Sequence, residues 1–255
     1  MKIYVGFNWS KSLREQNTHP YCFQSVAVCY SYSEGKSLPA WKINNAKEIM
    51  LDSGGFSLLN KYGDYPFSTK EYVDWVHRMD EINDGKVKYV AIRDYPCEPD
   101  ISRNISMLSN IERIKKTVDN TVECMSYDIP GKWMPVLQGY VKQEYLTCLQ
   151  LLKDENINLG NCIALGSMCR RTNIRDIKDI FCSIKRGYSG KIHLFGLTMN
   201  ALKDSWLKDN IDSCDTIGYT FGCGGKGETI IAFNKFIDRI NSIKVSGTIQ
   251  KCFEG

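Results

Sequence analysis

No Cys-x-x-Cys pair occurs in this chain, and its only histidines are His19, His77 and His193. A closed zinc site needs four converging ligands, and the sequence offers no local cluster of that kind. Long apolar runs are also missing. No stretch approaches the roughly 18 residues of a membrane-spanning helix, and mean hydropathy is −0.32. The opening MKIYVGFNWSKS holds too short an apolar run for the core of a secretory signal. Strong charge of either sign is lacking: 33 Lys and Arg against 29 Asp and Glu leave +4, with pI near 8.4. That balance permits an anionic partner without demanding one. No repeat, low-complexity tract or Pro/Gly linker divides the chain, so one domain over residues 1–255 is expected. A soluble protein of the cytoplasm is expected on the same grounds.

The chain has 43% hydrophobic and 24% charged residues, ordinary globular usage that excludes a disordered or fibrous polymer. Its 11 cysteines are odd in number and irregularly spaced. Several sit inside apolar runs, Cys29 in VAVCYSY and Cys162 in CIALGS. They read as small buried hydrophobes in a reducing compartment, not as a disulfide framework.

Short apolar, β-branched or aromatic runs recur at 2–7, 26–32, 48–54, 88–94, 133–140, 162–168, 191–197 and 214–219. Continuous apolar strands are what a parallel sheet buried on both faces requires. Amphipathic helical patterns lie between them: 69–82, 106–118, 144–155, 173–186, 201–210 and 228–244. The clearest is 69–82, where Ser68 and Glu71 make a capping box and Tyr72, Trp75, Val76 and Met79 share a face. Eight strands with interleaved helices in 255 residues predict an α/β fold, a compact (β/α)₈ TIM barrel. Residues 8–25 read as a loop, leaving the first βα unit without a regular helix.

Active sites of such barrels lie at the C-terminal ends of the strands. Those positions hold Asp52-Ser53-Gly54-Gly55-Phe56, Arg93-Asp94-Tyr95, Gln138-Gly139-Tyr140, Gly166-Ser167-Met168, Phe195-Gly196 and Asp215. No histidine or lysine stands out there as a base. Taken singly, each has a plain structural reading. Asp52 can close a turn through its own backbone, Asp94 can simply end a strand, and Phe56 and Phe195 can be core. The conjunction of polar groups on several strand ends is what favours a site.

The order LDSGGF (51–56), IRDYPCEP (92–99), VLQGY (136–140), IALGSM (163–168), HLFGL (193–197) and DSCDTIG (212–218) resembles the tRNA-guanine transglycosylase superfamily. Its members are (β/α)₈ barrels that exchange guanine for a 7-deazaguanine within nucleic acid. The resemblance implies Asp215 as nucleophile and Asp52 as general acid/base. It implies Asp94, Gln138, Gly166, Ser167 and Ser53 as contacts to the base, with Phe56 and Phe195 sandwiching the ring. Phe195 stands where the superfamily commonly has methionine.

The chemistry suits these residue types. Breaking an N-glycosidic bond develops positive charge at C1′, which a carboxylate can trap. A second carboxyl must protonate the departing base and deprotonate the incoming one. A third, as an acceptor-only group, matches the donor edge of guanine. One glycosidic bond replaces another, so no redox cofactor or nucleotide triphosphate is implied.

The superfamily's tRNA enzymes carry a Cys-x-Cys-x₂-Cys…His zinc site after the nucleophile strand. Here only Cys223 and Cys252 follow Asp215, so no metal is expected. The chain therefore resembles the compact branch, including phage-type members, that places 7-deazaguanines in DNA. DNA is favoured over tRNA as the polymer partner, with a free 7-deazaguanine base as the small-molecule partner. Lys226, in a glycine-rich loop, and Arg170 and Arg171, past the sixth strand, are candidate phosphate contacts. A tRNA enzyme, a non-catalytic barrel that binds nucleic acid, and a nucleoside hydrolase are the rival readings.

Overall fold

The computed structural model describes residues 1–7, 25–33, 35–37, 39–43, 46–99, 108–169, 171–216 and 228–242. In chain order the elements run β1 (Lys2–Phe7), β2 (Ser25–Cys29), β3 (Tyr32–Ser33), β4 (Lys36–Ser37), β5 (Glu48–Asp52), α1 (Gly55–Tyr62), α2 (Thr69–Ile82), β6 (Val87–Ala91), α3 (Asn110–Met125), β7 (Lys132–Met134) and β8 (Val136–Leu137). They continue as α4 (Lys142–Asp154), β9 (Cys162–Leu165), α5 (Ile174–Gly187), β10 (Lys191–Leu194), α6 (Met199–Lys203), α7 (Ser205–Asn210), β11 (Ser213–Thr216) and α8 (Glu228–Ser242).

Nine strands form one sheet in the order β7-β6-β5-β2-β1-β11-β10-β9-β8, and the pairings within it are parallel. The two strands at its ends, β7 and β8, are halves of a single chain segment separated only by Pro135. Proline has no N–H to give the ladder. The first half pairs Met134 with Ala91, the second pairs Val136 with Ala164, and Pro135 still accepts from the Ala164 N–H at 2.8 Å. The sheet is thus a closed α/β barrel of the TIM type, and each of the eight expected strands is present. The antiparallel pair β3–β4 stands apart from it.

Alternation along each strand assigns its side chains. Tyr4, Ala27, Met50, Tyr89, Ala91, Met134, Val136, Cys162, Ala164 and Phe195 pack with one another inside the barrel. Their neighbours one position away, such as Val5, Val28, Ile49, Leu51 and Val90, pack outward with Tyr72, Trp75, Val76 and Met79 of α2. Ile163, Leu165, Ile192, Leu194 and Cys214 do the same with α4, α5 and α7. Each buried aliphatic or aromatic side chain in these layers contributes about 1.5–3 kcal/mol relative to exposure.

Helix α2 begins as expected: Ser68 Oγ accepts from the Glu71 N–H at 3.2 Å, and the Ser68 N–H donates to Glu71 Oε2 at 2.8 Å. Two helical expectations need correction, and one helix was not expected. The pattern at 106–118 becomes α3 at Asn110–Met125, because Ser109 and Glu112 form a capping box that sets its start. The pattern at 201–210 is two short helices, broken where the Asp204 side chain caps α7 by accepting from the Leu207 N–H at 2.9 Å. Helix α1, which none of the helical patterns covered, begins directly after the Asp52 strand. Gly54 at its N-cap has φ +73°, and a Cβ there would lie 2.4 Å from the Tyr30 carbonyl oxygen.

Candidate active site

Extending the inward alternation of each strand toward its C-terminal end specifies a cup. Two residues beyond Ala27 comes Cys29, beyond Met50 comes Asp52, beyond Val136 comes Gln138, and beyond Ala164 comes Gly166. Register joins them across strands: Cys29 lies opposite Asp52, and Tyr4 opposite Asp215. Asp52, Asp94 and Asp215 therefore meet at one mouth of the barrel, from β5, from the segment after β6, and from β11. Their charges act on one another. Burial first, and then Asp215, raise the Asp52 carboxyl above its ordinary value, against hydrogen bonds from the Cys29 thiol and the Gly54 N–H. Burial first, and then Asp52, raise Asp94 to about 7.

Asp52 Oδ2 accepts from the Cys29 thiol at 3.0 Å and Oδ1 from the Gly54 N–H at 3.3 Å. Asp94 is buried, and its carboxylate is the centre of a hydrogen-bonded chain. Ser53 Oγ donates to Oδ1 at 3.2 Å and Gln138 Nε2 donates to Oδ2. Gln138 Oε1 in turn faces Ser167 Oγ at 2.6 Å, and that hydroxyl also faces Glu98 Oε2 at 2.8 Å while accepting from the Cys97 N–H at 2.7 Å. On the other side, Tyr65 OH lies 3.0 Å from Ser53 Oγ and donates to the Asp94 carbonyl at 2.7 Å. Ser167 holds φ +51°, an uncommon conformation for a residue with a side chain. Its hydrogen bonds hold it there, as expected where strain serves a site.

Asp215 sits on the opposite wall. Its Oδ1 accepts from the Gly196 N–H at 2.6 Å, and its backbone carbonyl accepts from the Leu197 N–H at 3.1 Å. Phe195, just before Gly196, is buried inside the barrel with its ring 4.9 Å from that of His193. Phe56 is half-buried in the first turn of α1 and packs against the cluster under that helix. Ser53, Gln138, Gly166 and Ser167 lie within or beside the Asp94 network, as a shared site requires. Tyr145 OH donates to the Gly166 carbonyl at 2.7 Å, which fixes that wall.

Arg171 is a strut between loops. Its Nε donates to the Ser167 carbonyl at 2.8 Å and Nη2 to the Tyr140 carbonyl at 2.5 Å, and the guanidinium lies 4.7 Å from the Tyr140 ring centre. Arg170 and Lys226, the other two candidate phosphate contacts, lie outside the described residues, as do Cys223 and Cys252.

Sequence reasoning missed three groups. Cys29 is reached by solvent at the cup, so it is not a core hydrophobe, yet the protein packed around it desolvates its thiol, and that desolvation and then Asp52 push the thiol up. The Cys169 thiol is likewise pushed up, by burial and then by Glu98, Asp215, Asp52 and Asp94. His193 lies in the barrel interior next to Asp215, although no histidine had been read as part of the site. The alternation of strand β10, which turns both His193 and Phe195 inward, was the available signal.

A family model described as DpdA, DeoxyPurine in DNA protein A, matches residues 24–227. The chain belongs to this family. Its members are the DNA 7-deazaguanine transglycosylases of the tRNA-guanine transglycosylase superfamily, and the barrel and the matched span agree with that fold. No curated protein matches the chain. No histidine follows Asp215, and among the described residues no three His, Cys, Asp or Glu side chains group as a metal site. Among those residues, too, no helix is long and apolar enough to cross a membrane.

Proposed function

We propose that this chain exchanges guanine in DNA for a free 7-deazaguanine, with a covalent glycosyl-aspartate on Asp215 as intermediate. The observation that carries the reading is the convergence of Asp52, Asp94 and Asp215 on one barrel mouth, in a chain of the DpdA family. The target nucleotide leaves the base stack at a cost of a few kcal/mol. Phe56 and Phe195 grip its base, stacking being worth about 1–3 kcal/mol. Asp94 accepts from the N–H groups of the guanine edge, with Gln138, Ser53 and the Gly166–Ser167 backbone completing the contacts.

Asp215 then bonds to C1′ through a carboxylate oxygen as the C1′–N9 bond breaks. The electron pair goes to N9, which takes a proton from Asp52. A carboxyl raised by burial retains that proton closer to neutral pH, as a general acid must. After guanine leaves, the incoming base gives its N9 proton to Asp52, and N9 attacks C1′. The ester bond breaks and returns its electrons to Asp215. Arg170 and Lys226 are the proposed phosphate contacts. The protein needs no metal or redox cofactor for this balance.

Asp215→Asn should abolish exchange of labelled guanine into a DNA oligonucleotide and any denaturant-stable protein–DNA adduct. Asp52→Ala should lose turnover while still binding DNA. Exchange by Asp215→Asn at the wild-type rate would reject the mechanism, and exchange into tRNA but not DNA would move the substrate to the rival polymer.

A further inference from the structure

His193 Nε2 is a buried ring nitrogen with no hydrogen-bond partner among the described residues. It points at the acid cup, 3.4 Å from Asp215 Oδ1. The ring is 1% exposed and held on both sides, its centre 5.8 Å from Tyr4 and 4.9 Å from Phe195, with both contacts edge-on. Its other nitrogen, Nδ1, lies 3.0 Å from Ser213 Oγ. A serine hydroxyl can donate to Nδ1, which leaves the ring proton of a neutral imidazole on Nε2, facing the carboxylate. The opposite tautomer would set a nitrogen lone pair against a carboxylate oxygen.

We propose that His193 is a positioning residue for Asp215. Its Nε2–H and the Gly196 N–H, at 2.6 Å, converge on Oδ1. Among the described residues Oδ2 takes no hydrogen bond, so Oδ2 is the oxygen that attacks C1′ and Oδ1 becomes the ester carbonyl oxygen. The inference rests on the reading of Asp215 as nucleophile. A separation of 3.4 Å is long for a strong hydrogen bond, and such contacts tighten in the reacting complex. When the ester bond breaks in the second half of the exchange, charge returns to the carboxylate. Two fixed donors on Oδ1 then stabilise it without reorganisation. A phenylalanine would fill the same slot without leaving a polar atom buried, so packing alone does not call for histidine.

The test compares His193→Phe, His193→Gln and Ser213→Ala in the full chain, using a DNA oligonucleotide and labelled guanine. A hydrogen bond to a charged group is worth about 1.5–3 kcal/mol, so His193→Phe should lower kcat about 10- to 100-fold. KM for the base and affinity for DNA should stay within about threefold, because the donor acts on Asp215 and not on the ligands. His193→Gln, whose amide nitrogen can reach the same point, should recover most of kcat. Ser213→Ala should fall between. Wild-type kcat in His193→Phe overturns the proposal, as does a glutamine variant that folds normally but is as slow as phenylalanine. If His193→Phe does not fold, Ser213→Ala decides: a lower kcat at unchanged KM supports the assignment, and an unchanged kcat overturns it. Asp215→Asn separates the two levels. Exchange without that carboxylate sinks the nucleophile itself, whereas a dead Asp215→Asn beside a normal His193→Phe sinks only the histidine's role.

Discussion

Asp94→Asn is expected to make this protein more stable at alkaline pH while removing base exchange. Burial, and then the charge of Asp52, raise the Asp94 carboxyl from 3.8 to about 7, against the lowering effect of hydrogen bonds from Gln138 and Ser53. A folded-state pKa above the unfolded value means that the folded chain binds this proton more tightly. The associated stability is complete below about pH 4, declines as pH rises, and is gone above about pH 7. A gap of about 3 pH units at 1.36 kcal/mol each amounts to about 4 kcal/mol. That is a large share of a typical margin of about 5–15 kcal/mol.

Asparagine has nearly the same shape and no charge at any pH. Its oxygen can accept from Gln138 Nε2, and its amide nitrogen can donate to Ser53 Oγ once that hydroxyl turns its own proton from Asp94 toward Tyr65 OH. Urea unfolding of both proteins should give similar free energies near pH 4.5. The variant should lead by up to about 4 kcal/mol at pH 8.5. Parallel stability curves for the two proteins across that range would refute the electrostatic account of the cup.

Three further outcomes follow from single contacts. The Cys29 thiol donates to Asp52 Oδ2 and holds down a carboxyl that burial pushes up. In Cys29→Ala the pKa that a kcat/KM profile assigns to Asp52 should therefore move upward, and an unmoved or lowered value would contradict the pairing. At the other barrel mouth, burial alone would raise Glu48, but hydrogen bonds from Lys2, Ser25 and Tyr4 outweigh it and hold the carboxyl at about 2. Glu48→Gln should cost about 1–2 kcal/mol after discounting for solvent screening, an effect present above pH 4.5 and lost as pH falls toward 2. Equal denaturant midpoints at pH 7 would count against it. A Cβ on Gly166 would lie 2.1 Å from Gln138 Nε2. Gly166→Ala should therefore displace that amide from Asp94 and raise KM for the incoming base more than it lowers kcat, and an unchanged KM would show that the amide is not needed there.

The strands were legible because each is buried on both faces and so reads as a continuous apolar run. Their C-terminal ends were legible as a site for the same reason, since a closed barrel turns Asp52, Gln138 and Asp215 toward one mouth whatever their separation in sequence. Neighbours across the barrel were not legible. His193 stands next to Asp215 only because β10 and β11 pair with His193 opposite Ser213, and no local pattern encodes that register. Cys29 shows the limit in another way: an apolar run marks a strand, but the last inward position of that strand opens onto solvent. Helix α1 was hidden by Gly54 and Gly55 at its start, residues that ordinarily mark a turn. Arg171 looked like a free cation on the rim, whereas two of its nitrogens are committed to carbonyls.

The two mouths of the barrel treat charge oppositely. At the N-terminal mouth Glu48 is paired with Lys2 at 2.6 Å and Lys88 at 3.3 Å. At the C-terminal mouth Asp52 and Asp94 have no ion pair with any described residue, and burial raises both. Unneutralised carboxylates are an expensive arrangement, and the proposed substrate supplies what they lack. The guanine edge brings N–H donors to Asp94, and the sugar develops positive charge near Asp215 as the glycosidic bond breaks. This is complementarity to a transition state more than to the resting cup. It carries a measurable consequence. If a bound base donates to the Asp94 carboxylate, binding must lower that group's pKa and expel its proton. Near pH 7, where Asp94 is about half protonated, binding should release about 0.5 proton per base. Calorimetric titration of a 7-deazaguanine in two buffers of different ionisation enthalpy measures that number directly. Release should vanish in Asp94→Asn and shrink above pH 8.5. Binding that takes up protons, or is indifferent to the buffer at pH 7, would mean that Asp94 does not receive the donor edge.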